Sequence, residues 1–327
     1  MREYAIRRLI LIFPTMFFVT IFVFLGIRLI PGDVITMMLI GRAGGLVQPQ
    51  SGFEEATFDE DALRHELGLD VPFHTQYFEW IGGIFLRGDF GKSLWNKDNV
   101  LREIRVRIFT TFELGFLTWL IAQITSVPIG IYSGARQDSW VDQVGRTFAI
   151  IQLASPNFWI ATMLIVWGAF WWNWTPPLPY VHFHEDPLRN LQILSVPALL
   201  AGWDFSAGQI RLFRTIILDV LRHDYIRTAW AKGLRERVIV LRHALRNTLI
   251  VSIEEVVGPI GVMIGGMVIM ENIFAIPGMG RLLLDSLYNR DYPYVSTLNL
   301  LYGSWGMFMI LIIDLSYAWF DPRIRYR

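Results

Sequence analysis

The sequence predicts an all-α integral membrane protein with six transmembrane helices and both termini in the cytoplasm. Three observations predict it. Of its 327 residues 53% are hydrophobic and 14% aromatic, and the mean hydropathy of +0.40 is too apolar for an ordinary soluble domain. Six apolar stretches are each long enough to cross a hydrocarbon core about 30 Å thick: 9–30, 108–134, 147–172, 191–218, 248–272 and 296–320. Arginine and lysine then gather on one side of those six crossings, the side that faces the cytoplasm. The formal net charge is zero, so binding to nucleic acid has no net-charge support. The absence of cysteine excludes disulfides, cysteine nucleophiles and thiolate metal sites.

The first stretch follows Arg2, Arg7 and Arg8. It is too long for a signal-peptide core and lacks a small-residue cleavage flank, so it reads as an uncleaved anchor. The outer segment 31–107 opens with a glycine-rich stretch, 41–51, expected to be mobile. DEDALRHELGLD predicts a helix with Asp59 near its start and Gly68 after its end, and PFHTQYFEWIGGIFLRGDFGKSL an amphipathic helix and a turn. Arg102, Arg105 and Arg107 lie opposite the other cations, in a loop too long for the charge rule to bind strictly.

Arg136 and Arg146 bracket the turn between the second and third spans. WGAFWWNW at 167–174 reads as an interfacial aromatic belt, with an aromatic wall for substrate as the alternative. In the next outer loop His182 and His184 stand beside Glu185 and Asp186. That spacing suits a transition metal, but the sequence fixes no third ligand and a solvated loop explains the pair more simply. Asp204, Gln209 and Arg211 dilute the fourth span, and Pro14, Pro128, Pro156, Pro197 and Pro259 kink their helices.

Between the fourth and fifth spans lies DYIRTAWAKGLRERVIVLRHALRN, residues 224–247. Asp224 can cap a short helix whose apolar face is Ile226, Ala229, Trp230 and Leu234. Gly233 falls where that helix ends, and a left-handed residue costs glycine least. A second short helix places Val238, Leu241, Leu245 and Leu249 on one side, with Arg237, Arg242 and Arg246 off it. Two short helices with a fixed bend make a rigid knob suited to a groove in another protein. A basic loop that only sets topology is the plainer alternative.

Ionisable groups inside spans are functional candidates because burial in hydrocarbon is costly. Glu113, Asp204, Glu254, Glu255 and Asp314 qualify. Glu254 and Glu255 are neighbours, so a helix points them about 100° apart; one can line a polar path with Asp204 while the other bonds a neighbouring helix. For Glu113 and Asp314 a partner on another span is the expectation. Gly258, Gly261, Gly265 and Gly266 permit close helix packing, against either a second subunit or the chain's own helices. Arg323, Arg325 and Arg327 close the chain. No glycine-rich phosphate loop of the GxxxxGKS or GxxxxGKT form occurs, and no Ser-His-Asp or zinc-protease signature.

The 224–247 segment resembles the cytoplasmic coupling loop, the EAA loop, of permease subunits in ABC importers. Ala229 and Gly233 match the generic Glu-Ala-Ala-x-x-x-Gly pattern, while Arg227 stands at the glutamate position and Thr228 at the first alanine. DYIRTAWAKGL followed by LRHALRN is similar to the peptide and nickel branch, which usually lacks that glutamate. RRLILIFPT…RLIPGD, RHELGLDVPFHTQYFEWIGG…GDFGKS, ENIFAIPGMGRLLLDSLYNRDYP and DPRIRY resemble, in order, the B-type permeases of dipeptide and oligopeptide importers. The resemblance covers nearly the whole chain.

It implies a MetI-like permease core at 108–320, with a coupling loop at 219–247, preceded by an anchor and extracytoplasmic segment at 1–107 and followed by a cytoplasmic tail at 321–327. Asp224, Tyr225, Ile226, Arg227, Thr228, Ala229, Trp230, Ala231, Lys232, Gly233 and Leu234 would couple to ATPases. The implied partners are a second homologous permease, two cytoplasmic ATPases carrying ATP and Mg, and an extracytoplasmic binding protein. The permease would bind no cofactor or metal, catalyse no covalent step, and sit multi-pass in the inner membrane. Peptides are the implied cargo, with oligosaccharides, nickel or glutathione as alternatives. A proton-coupled secondary transporter would need no coupling loop, and no inverted repeat is visible. An intramembrane enzyme would need paired catalytic groups, and none is identifiable.

Overall fold

The computed structural model describes residues 2–29, 34, 35, 38, 64, 65 and 69–320, which form helices and one isolated bridge, Lys92 to Asn99, but no strand. Helix α1 (Arg2–Arg28) exposes Phe13, Phe17, Phe18 and Phe22 while burying Phe24 and Ile27. A helix that presents phenylalanine outward is solvated by hydrocarbon rather than water. On its inner side Gly303 of α12 (Tyr292–Phe320) faces Val19. Asp314 of α12 lines a groove shared with Leu11, Ile12 and Thr15 of α1.

The outer segment packs back on α1. The amphipathic helix expected from PFHTQYFEWIGG is α2 (Phe73–Gly82), continued by a π-helical turn over Gly83–Arg87 and stopped by left-handed Gly88. Arg28 donates to Gln76 Oε1 at 3.1 and 3.0 Å, and its guanidinium lies 3.6 Å from the centre of the Phe24 ring. Of the helix expected from DEDALRHELGLD, Arg64 and His65 are helical. Asp59, Gly68 and the stretch 41–51 lie outside the described residues, as does the tail 321–327.

Two long helices form the axis of the molecule. α3 (Val100–Ala135) and α6 (Pro187–Leu221) have 36 and 35 residues. At 1.5 Å per residue each is more than about 50 Å long, so both protrude beyond a ~30 Å core. α3 starts well before residue 108, because Asn99 caps it by accepting from Arg102 N at 3.1 Å. Apolarity marked where the membrane begins, whereas the cap marks where the helix begins. α3 and α6 touch almost backbone to backbone. A Cβ on Gly130 would collide with Phe213 and the Ile210 carbonyl, and one on Gly134 with Ile217 and the Arg214 backbone.

The third predicted span is not one helix. α4 (Trp140–Ala154) and α5 (Asn157–Trp172) meet at 84°. Pro156 lacks the N–H that would continue α4, and it forces Ser155 into an extended conformation. The fifth span is also bent. α8 (Glu236–Val251) meets α9 (Ile253–Gly266) at 49°, where Ser252 Oγ donates back to Thr248 O at 2.7 Å. The short α10 (Val268–Ile273) and α11 (Met279–Tyr288) then lead into α12. Among the described residues three helices are long and apolar enough to cross a membrane, or five if each bent pair counts as one span. α6 is the remaining predicted span.

Candidate functional site

Helix α6 ends at Leu221, and His223 turns the chain with extended angles (φ −68°, ψ 149°) into α7 (Asp224–Ala231). His223, not Asp224, occupies the capping position. Asp224 sits in the first turn, where its charge favours the positive end of the helix, and accepts from Arg227 at 3.4 Å. Gly233 is left-handed at φ +72°, as its position after the helix predicts. Its N–H donates to Trp230 O at 2.9 Å, closing α7. α8 follows at Glu236.

The apolar face expected on α7 divides in two. Ile226 and Ala229 are buried within the chain, against Ile131, Phe213 and Ile217 and against Ile239, Val240 and Ala244 of α8. They fasten the knob to the α3–α6 axis and are not available to a partner. Tyr225, Trp230 and Leu234 are exposed. On α8 the expected face of Val238, Leu241, Leu245 and Leu249 is also displaced: Val238 and Leu241 are exposed, while Ile239, Val240, Ala244 and Thr248 are buried. The reason is the π-helical turn over Ile239–Ala244. Its i→i+5 bonding inserts extra backbone and rotates the register, which a 3.6-residue period cannot anticipate. The outcome is that Tyr225, Trp230, Leu234, Val238 and Leu241 are all exposed, in a segment that also exposes Arg227, Lys232, Arg235, Arg237 and Arg242.

Directly behind the knob lies a buried ion pair that the sequence reading missed. Asp142 of α4 is fully buried. It accepts from Arg214 Nε at 2.6 Å and Nη2 at 2.7 Å, from Ser133 Oγ at 2.6 Å, and from Asp138 N at 3.0 Å. One carboxylate thereby ties α3, α4 and α6 together at the end from which α7 departs. Asp142 stood outside the predicted spans, so the rule that marks intramembrane charges passed over it.

The proposed path residues fall on different surfaces. Glu254 is exposed and Glu255 half-buried, with the backbone oxygen of Glu255 accepting from Gln209 of α6. Gln209 Oε1 in turn accepts from Ser126 Oγ at 2.9 Å and Gln123 Nε2 at 3.2 Å, a polar seam between α3 and α6. Asp204 accepts from Asn157 at 3.1 Å, at the α4–α5 bend. Of the glycines expected to pack helices, Gly261 does so within the chain, against Met309. Gly258 and Gly265 meet nothing within 4 Å. With exposed Glu254 and Val262 they follow one another at helical spacing along α9, an open stripe on that helix.

At the opposite end of the bundle Glu113 accepts from Tyr180 OH at 2.5 Å and Asn190 Nδ2 at 2.8 Å, giving it the partner on another helix that was expected. The His182 and His184 rings stack 5.4 Å apart, and no cluster of three metal-ligating groups occurs among the described residues. Trp167, Phe170, Trp171 and Trp172 are exposed, as a belt at the membrane surface requires. Asp291, at the α11–α12 corner, accepts from Ser93 Oγ at 2.5 Å and Leu94 N at 3.2 Å. Burial pushes its carboxyl above the usual carboxylate range, and the Ser93 and Leu94 bonds oppose that shift.

The sequence model for "binding-protein-dependent transport system inner membrane component" matches residues 126–326. That range contains the knob, the ion pair and the open stripe. The chain belongs to this family. Over the full length of both chains it is 33% identical to the glutathione transport system permease protein GsiC of Pectobacterium atrosepticum. It is 32% identical, again over both full lengths, to the probable peptide ABC transporter permease protein y4tP of Sinorhizobium fredii and to the dipeptide transport system permease protein DppB of Escherichia coli. As a member of the family the chain is a permease subunit of an ABC importer in the inner membrane, and ATP hydrolysis belongs to separate subunits. Membership sets aside the proton-coupled transporter.

Proposed function

We propose that this permease forms half of a translocation pathway for short peptides, paired with a second homologous permease and driven by two ATPases seated on residues 224–247. The exposure of Tyr225, Trp230, Leu234, Val238 and Leu241 carries the reading. These side chains are apolar, interspersed with cations, and held rigidly at the end of α6. Large apolar groups exposed together in one short segment of a monomer mark a protein interface. ATP and Mg reside on the ATPases, and the permease acts by alternating access: closure of the ATPases displaces the knob, and the helices attached to it rock.

The second permease covers the open stripe of α9, where Gly258 and Gly265 let another helix approach and Glu254 lines the shared path. A Cβ on Gly258 would meet no atom of its own chain within 4 Å, so Gly258→Leu should leave the permease inserted and folded. Recovery of the second permease in a pull-down should fall at least about tenfold, the loss of roughly 1.4 kcal/mol of contact. Undiminished recovery would remove α9 from the interface.

Six crossings place both termini and residues 224–247 in the cytoplasm and residues 31–107 outside, in keeping with the distribution of arginine. Exposed Gln137 and His184 then lie on opposite sides. With no native cysteine to interfere, Gln137→Cys should react with an impermeant thiol reagent only from the cytoplasmic side and His184→Cys only from the outside. Reaction of both from one side excludes the topology.

The cargo is assigned from the relatives, which are named for glutathione, itself a tripeptide, for peptides and for dipeptides. Cells carrying the complete system should accumulate labelled peptides of two to five residues, with unlabelled peptide competing. Uptake of an oligosaccharide or nickel without competition by peptide overturns the assignment.

A further inference from the structure

We propose that Glu271 is a positioning residue that locks α11, the short helix across the extracytoplasmic end of the bundle, onto α3. Glu271 is fully buried, yet no step of the pathway described above uses it. Its Oε1 accepts from Thr111 Oγ1 of α3 at 2.6 Å, and its Oε2 from Gly280 N at 2.7 Å and Arg281 N at 3.0 Å. Thr111 Oγ1 itself accepts from Met279 N at 2.8 Å. The first three N–H groups of α11, which have no partner within their own helix, are therefore all satisfied by one carboxyl on α10 and one hydroxyl on α3.

The surroundings are built around that carboxyl. A Cβ on Gly278 would overlap it, and one on Gly280 would meet both it and the Val268 backbone. Arg281 Nη1 donates to Ala275 O at 2.8 Å across a turn in which Ala275 is left-handed at φ +55°. A non-glycine residue persists there only when its surroundings over-determine it. At the far end of α11 Trp95 Nε1 donates to Asn289 O at 2.8 Å, and Asp291 holds Ser93 and Leu94. α11 is fixed at both ends, to the outer segment and to α3.

α3 makes this attachment consequential. Thr111 lies 23 residues from Gly134, the site of backbone contact with α6, a distance of about 35 Å along one continuous helix. A displacement of α7 and α6 reaches α3 through Gly130 and Gly134, and reaches α11 through Thr111 and Glu271. The direction of that force rests on the coupling role proposed for residues 224–247. The rigid attachment of α11 to α3 does not.

The test uses the complete reconstituted importer with spin labels at Arg105→Cys on α3 and Tyr288→Cys on α11, both exposed positions in a chain without cysteine. The label–label distance should be a single narrow distribution, unchanged by ATP and binding protein. In Glu271→Gln and Thr111→Val it should broaden, and transport should fall at least about tenfold, a loss expected when a hydrogen bond to a carboxyl is removed. The ATPases should remain bound. Thr111→Ser keeps the hydroxyl and loses only the methyl group, so it should restore both readouts.

If Glu271→Gln fails to assemble, the Thr111 pair decides. A narrow distribution or transport within about twofold of normal in Thr111→Val overturns the proposal, as does a Thr111→Ser variant as defective as Thr111→Val. A distance that changes with ATP in the unsubstituted chain overturns it too. Failure of the coupling reading shows differently, as normal behaviour of variants at Trp230 while Thr111→Val still broadens the distribution.

Discussion

Trp230→Asp should abolish substrate-stimulated ATP hydrolysis and transport while leaving the permease folded and inserted. Trp230 projects from α7 with nearly half its surface exposed, so its replacement costs the isolated chain little. In an ATPase groove the same ring is the largest apolar anchor on the knob. Truncating an anchor of that kind costs at least about 2 kcal/mol, roughly thirtyfold in affinity, and a carboxylate in its place adds desolvation. Gly233→Val should act on the same surface by a different route. A β-branched residue at φ +72° is strained by about 1–3 kcal/mol, and relief of that strain turns α7 away from α8. Ala229→Asp belongs to a third class. Ala229 is buried against α8, so the substitution should destabilise the knob itself and the permease with it. A pull-down of the ATPases, beside a melting curve of the permease, separates the three. Normal stimulated hydrolysis in Trp230→Asp and Gly233→Val would exclude this surface from coupling.

The contrast between Trp230 and Ala229 shows what could be read from the sequence and what could not. The knob was legible because its determinants are local: a helical apolar period, cations off that face, and a glycine where a left-handed residue is required. Gly233 accordingly stands where the sequence placed it. Which residues of that apolar period face inward was not legible. It depends on α8, and α8 carries a π-helical turn that shifts the register between Ile239 and Ala244. The apolar stretches were likewise legible as candidate crossings and Pro156 as a kink in the third, whereas the size of the break there, 84°, depends on how α4 and α5 pack. The buried acids divide in the same way. Glu113 was found because it interrupts a long apolar run. Glu271 lies inside a predicted span, yet its importance depends on Thr111, 160 residues away in sequence, and on the N-terminus of α11. Gly278 and Gly280, two glycines at the start of a helix, were the local sign that something had to approach there.

Asp142→Asn should destabilise the permease by about 3–5 kcal/mol. The wild-type carboxylate satisfies both arms of Arg214, the Ser133 hydroxyl and the Asp138 amide, and it is fully buried. An asparagine at that position retains the volume but removes the charge, and turns one end of the side chain into a donor facing other donors. Arg214 is left mostly buried without its counter-ion, and breaking a buried pair on one side costs about 3–5 kcal/mol. Arg146, whose Nε lies 3.8 Å from the same carboxylate, loses its partner as well and adds to the unbalanced charge. Asp142→Leu with Arg214→Leu removes both charges together. Replacing a buried pair by apolar groups is often close to neutral, so the double variant should melt above Asp142→Asn despite carrying two substitutions. Function should not recover with stability. Ser133 and the Asp138 amide still lack an acceptor, and the α3–α4 turn is no longer tied to α6 at the end that bears α7. The double variant should therefore assemble with the ATPases and hydrolyse ATP, yet respond weakly to substrate. The measurements are melting temperature and stimulated hydrolysis of the reconstituted variants. Equal melting of Asp142→Asn and the unsubstituted chain would show that the pair contributes nothing to the fold, and full stimulation in the double variant would show that the tie is not used in coupling.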